Sequence, residues 1–277
     1  MLSKLMKHEF FSTGRIFLPL YAIVLAVAAL TGLLGILLNA MGLLDSTSEP
    51  LILLAFIPLV IFGNFLAVGA AFIVPFVVIV VRFYRSFLGP EGHLMFTLPV
   101  TRHQLILSKF IPAVSWQAIS TLVVLGSVTM AISGWIPMAY WADSLWLFES
   151  MYTELLIAQS PHSMLMLFLY FISVPLSVIS SILMAYAAMG LGQLSSNNRI
   201  LLSVVTYFCL WIASMVITTV ITLPFTLLEL ANMSRGSSYL FQDSLLSLSV
   251  STFLSLVLCL VFYFLTEHLL NKRLNLL

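Results

Sequence analysis

Charge is what this sequence has least of: lysine, arginine, aspartate and glutamate together make up 8% of its 277 residues, against about a quarter in an ordinary soluble domain. So few charges exclude a water-facing surface of normal extent. Hydrophobic residues account for 61% of the chain and mean hydropathy is +1.14, as in an integral membrane protein. Cysteine is nearly absent too. Cys209 and Cys259 both fall inside apolar runs, where they read as small apolar fillers rather than as a disulfide or a metal pair. The chain has no GxxxxGK[ST] loop to cradle a nucleotide's phosphates and no GxSxG elbow. His8 and Glu9 lack a second histidine at zinc-helix spacing, and Glu267 and His268 stand in the reverse order. No acidic or basic residue lies deep in any apolar run, and proton-coupled carriers and intramembrane acid catalysts generally need one there. A sodium site built from backbone carbonyls and hydroxyls would leave little trace. No catalytic residue and no metal ligand is assigned, and an enzyme is not expected.

What is present is organised by six apolar runs: 16–38, 51–81, 110–133, 164–191, 200–228 and 244–266. Each reaches the roughly 20 residues a helix needs to cross a hydrocarbon core about 30 Å thick. None shows the ten-residue alternation of a membrane strand. The expected fold is therefore an all-α integral membrane protein with six transmembrane helices in a single domain. Charge placement supplies the orientation. Lys4, Lys7 and Arg15 precede the first run, Arg82, Arg85, Arg102 and Lys109 separate the second and third, Arg199 separates the fourth and fifth, and Lys272 and Arg273 follow the sixth. Only Arg235 falls on the other side, where Asp45, Glu49, Asp143, Glu149, Glu154, Glu229 and Asp243 collect. By the positive-inside rule both termini, including the tail 267–277, are cytoplasmic.

Between the runs the pattern is more varied. Residues 1–15 place Leu2, Leu5, Met6 and Phe10 on one face with Lys4, Lys7 and Glu9 away from it, the pattern of an interfacial helix beside anionic headgroups, or of a frayed tail. The second run is long and carries Pro75, so it is expected to continue past the membrane towards Arg82 and Arg85. In the fourth run Ser177, Ser181, Ala185, Ala188 and Gly192 form one stripe of small side chains, a surface on which helix backbones approach closely in lipid. Asn64 and Gln117 are the amide side chains well inside the bilayer. Each is either a hydrogen bond between helices or part of a polar path. The outer segment 134–163 places Trp141, Leu145, Phe148 and Tyr152 on one helical face with acids elsewhere, an amphipathic helix lying on the outer leaflet.

The segment 82–109 mixes polar and apolar residues on the basic side. Gly89, Pro90 and Gly92 mark a turn. Leu94, Met95 and Phe96 follow on one short helical turn that Pro99 closes, either as a docking surface or dipping back into the interface. Thr101 and Gln104 have capping-box spacing, so a new helix is expected to start there and feed the third run, with Pro112 near its membrane entrance.

The stretch GPEGHLMFTLPVTRHQLILSK resembles an EGY-x3-TLPVSR-x2-L-x3-K pattern of the permease subunits of bacterial ABC-2 type ABC exporters, with His93 in place of the aromatic residue and Thr101 in place of the serine. Six spans, cytoplasmic ends and an N-terminal interfacial helix are similar to that family's plan. The chain departs from it in placing its longest outer insertion between the third and fourth spans. The resemblance implies a coupling helix between the second and third spans that seats in a separate ABC ATPase subunit. Glu91, Gly92, His93, Leu94, Met95, Phe96, Pro99 and Arg102 would form the docking and coupling surface. It further implies a second permease subunit, identical or related, and a place in the bacterial plasma membrane among its lipids, with no nucleic-acid partner. ATP and magnesium would be bound by the partner and no cofactor by this chain, and the substrate would be a hydrophobic or amphipathic antimicrobial peptide, lipid or drug. A non-transporting membrane anchor or sensor for an ATPase, and an ion-coupled secondary carrier, are the alternatives.

Overall fold

The computed structural model describes residues 2–41, 51–88, 102–136, 161–193, 198–232 and 237–272. These form α1 (Leu2–Ala40), α2 (Leu51–Phe83) ending in a π-helical turn (Tyr84–Leu88), α3 (Arg102–Ser133), α4 (Pro161–Gly192), α5 (Arg199–Asn232) and α6 (Ser237–Lys272). Six of these helices are long and apolar enough to cross a membrane, and no strand occurs among the described residues. The chain is a multi-pass, all-helical membrane protein. Such helices satisfy their own backbone in lipid, where no water is available to do so. Their hydroxyls are satisfied locally as well. Ser173, Ser177, Thr218, Thr222, Ser249 and Ser255 each donate to a carbonyl three or four residues back, which lets so many hydroxyls lie in apolar helices.

Contacts divide the chain into two compact units, Met1–Ile79 with Gln104–Ser150 and Val80–His103 with Met151–Leu277. In the first unit α1 and α3 run in the same direction. Their partners keep a nearly constant sequence separation: 100 for Glu9 and Lys109, 99 for Tyr21 and Ser120, and 95 for Asn39 and Gly134. An antiparallel pair would show separations that change by twice each step along the helix. Glycine allows this pair to close. A Cβ on Gly35 would stand 2.6 Å from the carbonyl carbon of Gly134, and Gly32 lies against the carbonyl oxygen of Met130, so neither site accepts a side chain without moving backbone. Below these contacts Val24, Ala71 and Val124 form a buried cluster, lined by Ala67, Val68 and Val123, that brings α2 onto the pair.

Residues 1–15 were expected to form a separate helix lying in the interface, yet the described α1 is continuous from Leu2 to Ala40. The physical reason is Trp116. Phe10 stacks on its ring at 4.6 Å between centroids, Phe17 meets it edge-on at 5.2 Å, and Gly14 leaves room between them. At Phe10 the N-terminal segment therefore continues the packing face of the first span. Asn39 Nδ2 donates to the Gly134 carbonyl at 3.2 Å, and Tyr21 shares a 2.6 Å hydrogen bond with Ser120.

In the second unit, every residue from Ile182 to Met189 of α4 is buried. Burial around a whole helical circumference means neighbours on all sides. Tyr186 stacks on Phe83 at 3.8 Å and 14°, and Phe87 packs beside Phe83. From α5, Thr206 Oγ1 donates to the Ala188 carbonyl at 3.0 Å, and Ser203 sits where a Cβ on Gly192 would have to go. From α6, Leu269 packs on Gly190, and Cys259 Sγ lies 3.6 Å from the Leu176 carbonyl. The Ala188 and Gly192 end of the small-residue stripe is thus the α5 contact, whereas Ser177 at its other end is exposed.

Gly35→Ala forces backbone against backbone and is expected to cost about 1–3 kcal/mol. Gly63→Ala, where a Cβ meets nothing within 4 Å, is the matched control. The midpoint of thermal unfolding in detergent should fall for Gly35→Ala and hold for Gly63→Ala.

Candidate functional site

The candidate site is the segment between α2 and α3 and the contacts that hold its two ends. Glu91, Gly92, His93, Leu94, Met95, Phe96 and Pro99 lie outside the described residues, as do Trp141, Leu145, Phe148 and Tyr152. Arg102 opens α3, one residue after the capping threonine expected from sequence, and its side chain lies outside the described residues. What the structure supplies is the framing of the segment on each side.

Before the segment, α2 passes into the π-helical turn Tyr84–Leu88. π-Turns insert an extra residue into the helical ladder and are frequent at functional sites. Here the turn buries Phe83 and Phe87 to 1% exposure. The 3.8 Å stack of Phe83 on Tyr186 gives this end a rigid aromatic seat, worth about 0.5–1.5 kcal/mol beyond the area it buries.

After the segment, His103 is clasped by α6. Its Nδ1 lies 3.0 Å from the Tyr263 hydroxyl and its Nε2 3.0 Å from Glu267 Oε1. Tyr263 and Glu267 are one helical turn apart and present to the same side. Six residues further on, Lys109 pairs with Glu9 of α1, both side chains largely buried at 9% and 19% exposure. Glu9, Glu91 and Glu267 are the acidic residues that fall on the basic side of the chain. Two of the three hold the first two turns of α3.

Sequence reasoning did not find these partners. His103 and Glu267 are 164 positions apart, and no local spacing links them. The signal that existed was the charge bias itself, because an acid placed against that bias needs a cation or a donor nearby.

Gln117 and Asn64, left open between structural bond and polar path, are both in the first unit. Gln117 is 6% exposed. Its Oε1 and Asn64 Oδ1 are buried without a hydrogen-bond partner, as is Trp116 Nε1. The structure does not join Asn64 to Gln117 through these oxygens. Among the described residues no group of three or more His, Cys, Asp or Glu could hold a metal ion.

No family model, curated protein or solved structure matches the chain.

Removing one member of a largely buried ion pair leaves the other charge uncompensated. Glu9→Gln alone takes the carboxylate from the largely buried Lys109 ammonium and should destabilise the protein by about 3 kcal/mol, and Glu9→Gln with Lys109→Met together should cost clearly less. Equal losses for the single and double variants, read from detergent unfolding curves, would show that the pair does not couple α1 to α3.

Proposed function

We propose that the chain is the transmembrane subunit of an ATP-driven exporter of the ABC-2 type, seated in the bacterial plasma membrane with both termini in the cytoplasm. The observation that carries this reading is the segment 89–101 together with its framing. The residues flanking this segment are fixed, Phe83 before it by its stack on Tyr186 and His103 after it by Tyr263 and Glu267. A loop with no mechanical role has no need of a rigid seat at both ends.

On this reading a separate ATPase subunit binds ATP and magnesium and grips Leu94, Met95 and Phe96, with Glu91 and Arg102 as polar partners. Gly89, Pro90 and Gly92 would form the turn before the grip, His93 would open the gripped helical turn, and Pro99 would be its rigid corner. Closure of the ATPase pair pushes the segment. The push reaches α4 through Phe83, α6 through His103, and α1 through Lys109 and Glu9. Each connection is short, buried or hydrogen-bonded, and so transmits displacement instead of absorbing it. A second permease subunit completes the pathway. The lack of charge deep in the spans suits a hydrophobic or amphipathic cargo better than a small ion. Trp141, Leu145, Phe148 and Tyr152, which recur at helical spacing in the outer stretch of the sequence, would meet such a cargo as it leaves.

Affinity purification from the native membrane should bring down a nucleotide-binding ATPase. Phe96→Asp places a charge in the docking surface and should reduce that recovery at least about tenfold, the scale of one hot-spot side chain, with the permease itself still present in the membrane. Undiminished recovery of the ATPase with Phe96→Asp would overturn the docking assignment.

A further inference from the structure

One face of α6 carries a groove of about 650 Å³, within the range of small-ligand sites. Val257, Leu260, Val261 and Phe264 line its length, and it ends at Glu267 and His268. Leu260, Val261 and Phe264 are at least half exposed, so the described residues leave this strip uncovered. The span of α6 runs from Leu245 to Leu269, which sets Glu267 and His268 at headgroup level and the apolar strip at acyl-chain level of the same leaflet.

The carboxylate at the end of this strip is held in place. His103 makes both contacts at once: its Nδ1 shares a hydrogen bond with the Tyr263 hydroxyl, and its Nε2–H donates to Glu267 Oε1. Glu267 is thereby oriented through Oε1 at the end of the groove. An oriented carboxylate above an apolar strip selects a cationic head on an apolar tail. His268, beside it, offers a ring N–H to a phosphate. A second copy of the chain apposed through this face about a two-fold axis would set two Glu267 carboxylates at one level, a like-charge contact.

We infer that this groove is a binding site for a phospholipid with a primary-ammonium headgroup. The ammonium rests on Glu267, the phosphate on His268, and an acyl chain along Val257, Val261 and Phe264. A primary ammonium is preferred over a quaternary one because only the former has N–H groups for a charge-assisted hydrogen bond to the carboxylate. Anionic heads are disfavoured by the same carboxylate. The site depends on α6 and His103 alone and does not depend on which cargo the protein moves.

The test is native mass spectrometry of the purified full-length protein equilibrated with equal amounts of phosphatidylethanolamine, phosphatidylcholine and phosphatidylglycerol carrying identical chains. The wild-type protein is expected to retain phosphatidylethanolamine about tenfold over each of the others, the scale of one hydrogen bond to a charged group. Glu267→Gln, which keeps an acceptor for His103, should bring the three lipids to parity, and Val261→Trp should displace phosphatidylethanolamine by filling the strip. Equal retention of the three lipids by the wild type, an unchanged preference in Glu267→Gln, or undiminished retention in Val261→Trp each overturns the assignment. Should Glu267→Gln fail to fold, the Val261→Trp result decides.

Discussion

Within a bilayer the hydrophobic effect does not draw helices together, because lipid tails are as apolar as the side chains they would replace. The first unit therefore depends on contact close enough for dispersion and backbone polarity to act, and the approach of Gly32 and Gly35 to Met130 and Gly134 supplies it. Once α1 and α3 are in register there, their nearly constant separation sets Tyr21 beside Ser120 and Glu9 beside Lys109. The Trp116 ring then becomes the shelf on which Phe10 and Phe17 rest. The second unit reaches the same end with different residues. Gly190 and Gly192 admit Leu269 and Ser203, and the fully enclosed run from Ile182 to Met189 gives α4 its neighbours.

Much of this was legible in the sequence because a membrane imposes length and composition directly. All six apolar runs became helices, most extended by a few residues and α1 by its whole N-terminal segment, and α3 begins one residue past Thr101. The small residues at helical spacing marked Ala188 and Gly192 as a close-approach surface, and the structure showed that α5 covers it. The continuity of α1 was not legible. The periodicity of Leu2, Leu5, Met6 and Phe10 is the same whether that face meets lipid headgroups or a tryptophan 106 positions beyond Phe10. For the same reason no pattern revealed that Glu267 meets His103 or that Glu9 meets Lys109. Periodicity reports that a face is apolar, and only long-range packing decides what covers it.

The candidate site was legible in part. The Gly89, Pro90 and Gly92 turn, the capping signal at Thr101 and the apolar residues between them marked the segment, whereas its mechanical framing came from side chains far away in sequence. That framing is where the acids against the charge bias acquire a purpose. Glu267 and Glu9 each engage α3 within its first two turns. Glu91, the third, belongs to the segment itself. On the proposed reading these acids anchor the transmission and contact the engine, which is why they sit where the rest of the chain excludes negative charge. The orphaned oxygens of Asn64 and Gln117 and the orphaned indole N–H of Trp116 show that the first unit also carries unused polar capacity in its interior.

The central claim, that this chain moves an amphipathic cargo with energy delivered from an ATPase, is tested most directly in proteoliposomes. The chain is reconstituted with the ATPase that accompanies it, and uptake of a fluorescent amphipathic peptide is followed with ATP, without ATP, and with only an imposed ion gradient. The account expects accumulation that requires ATP, hydrolysis that rises with the peptide, and none from the gradient. Accumulation driven by the gradient alone, or hydrolysis indifferent to this chain, would contradict it.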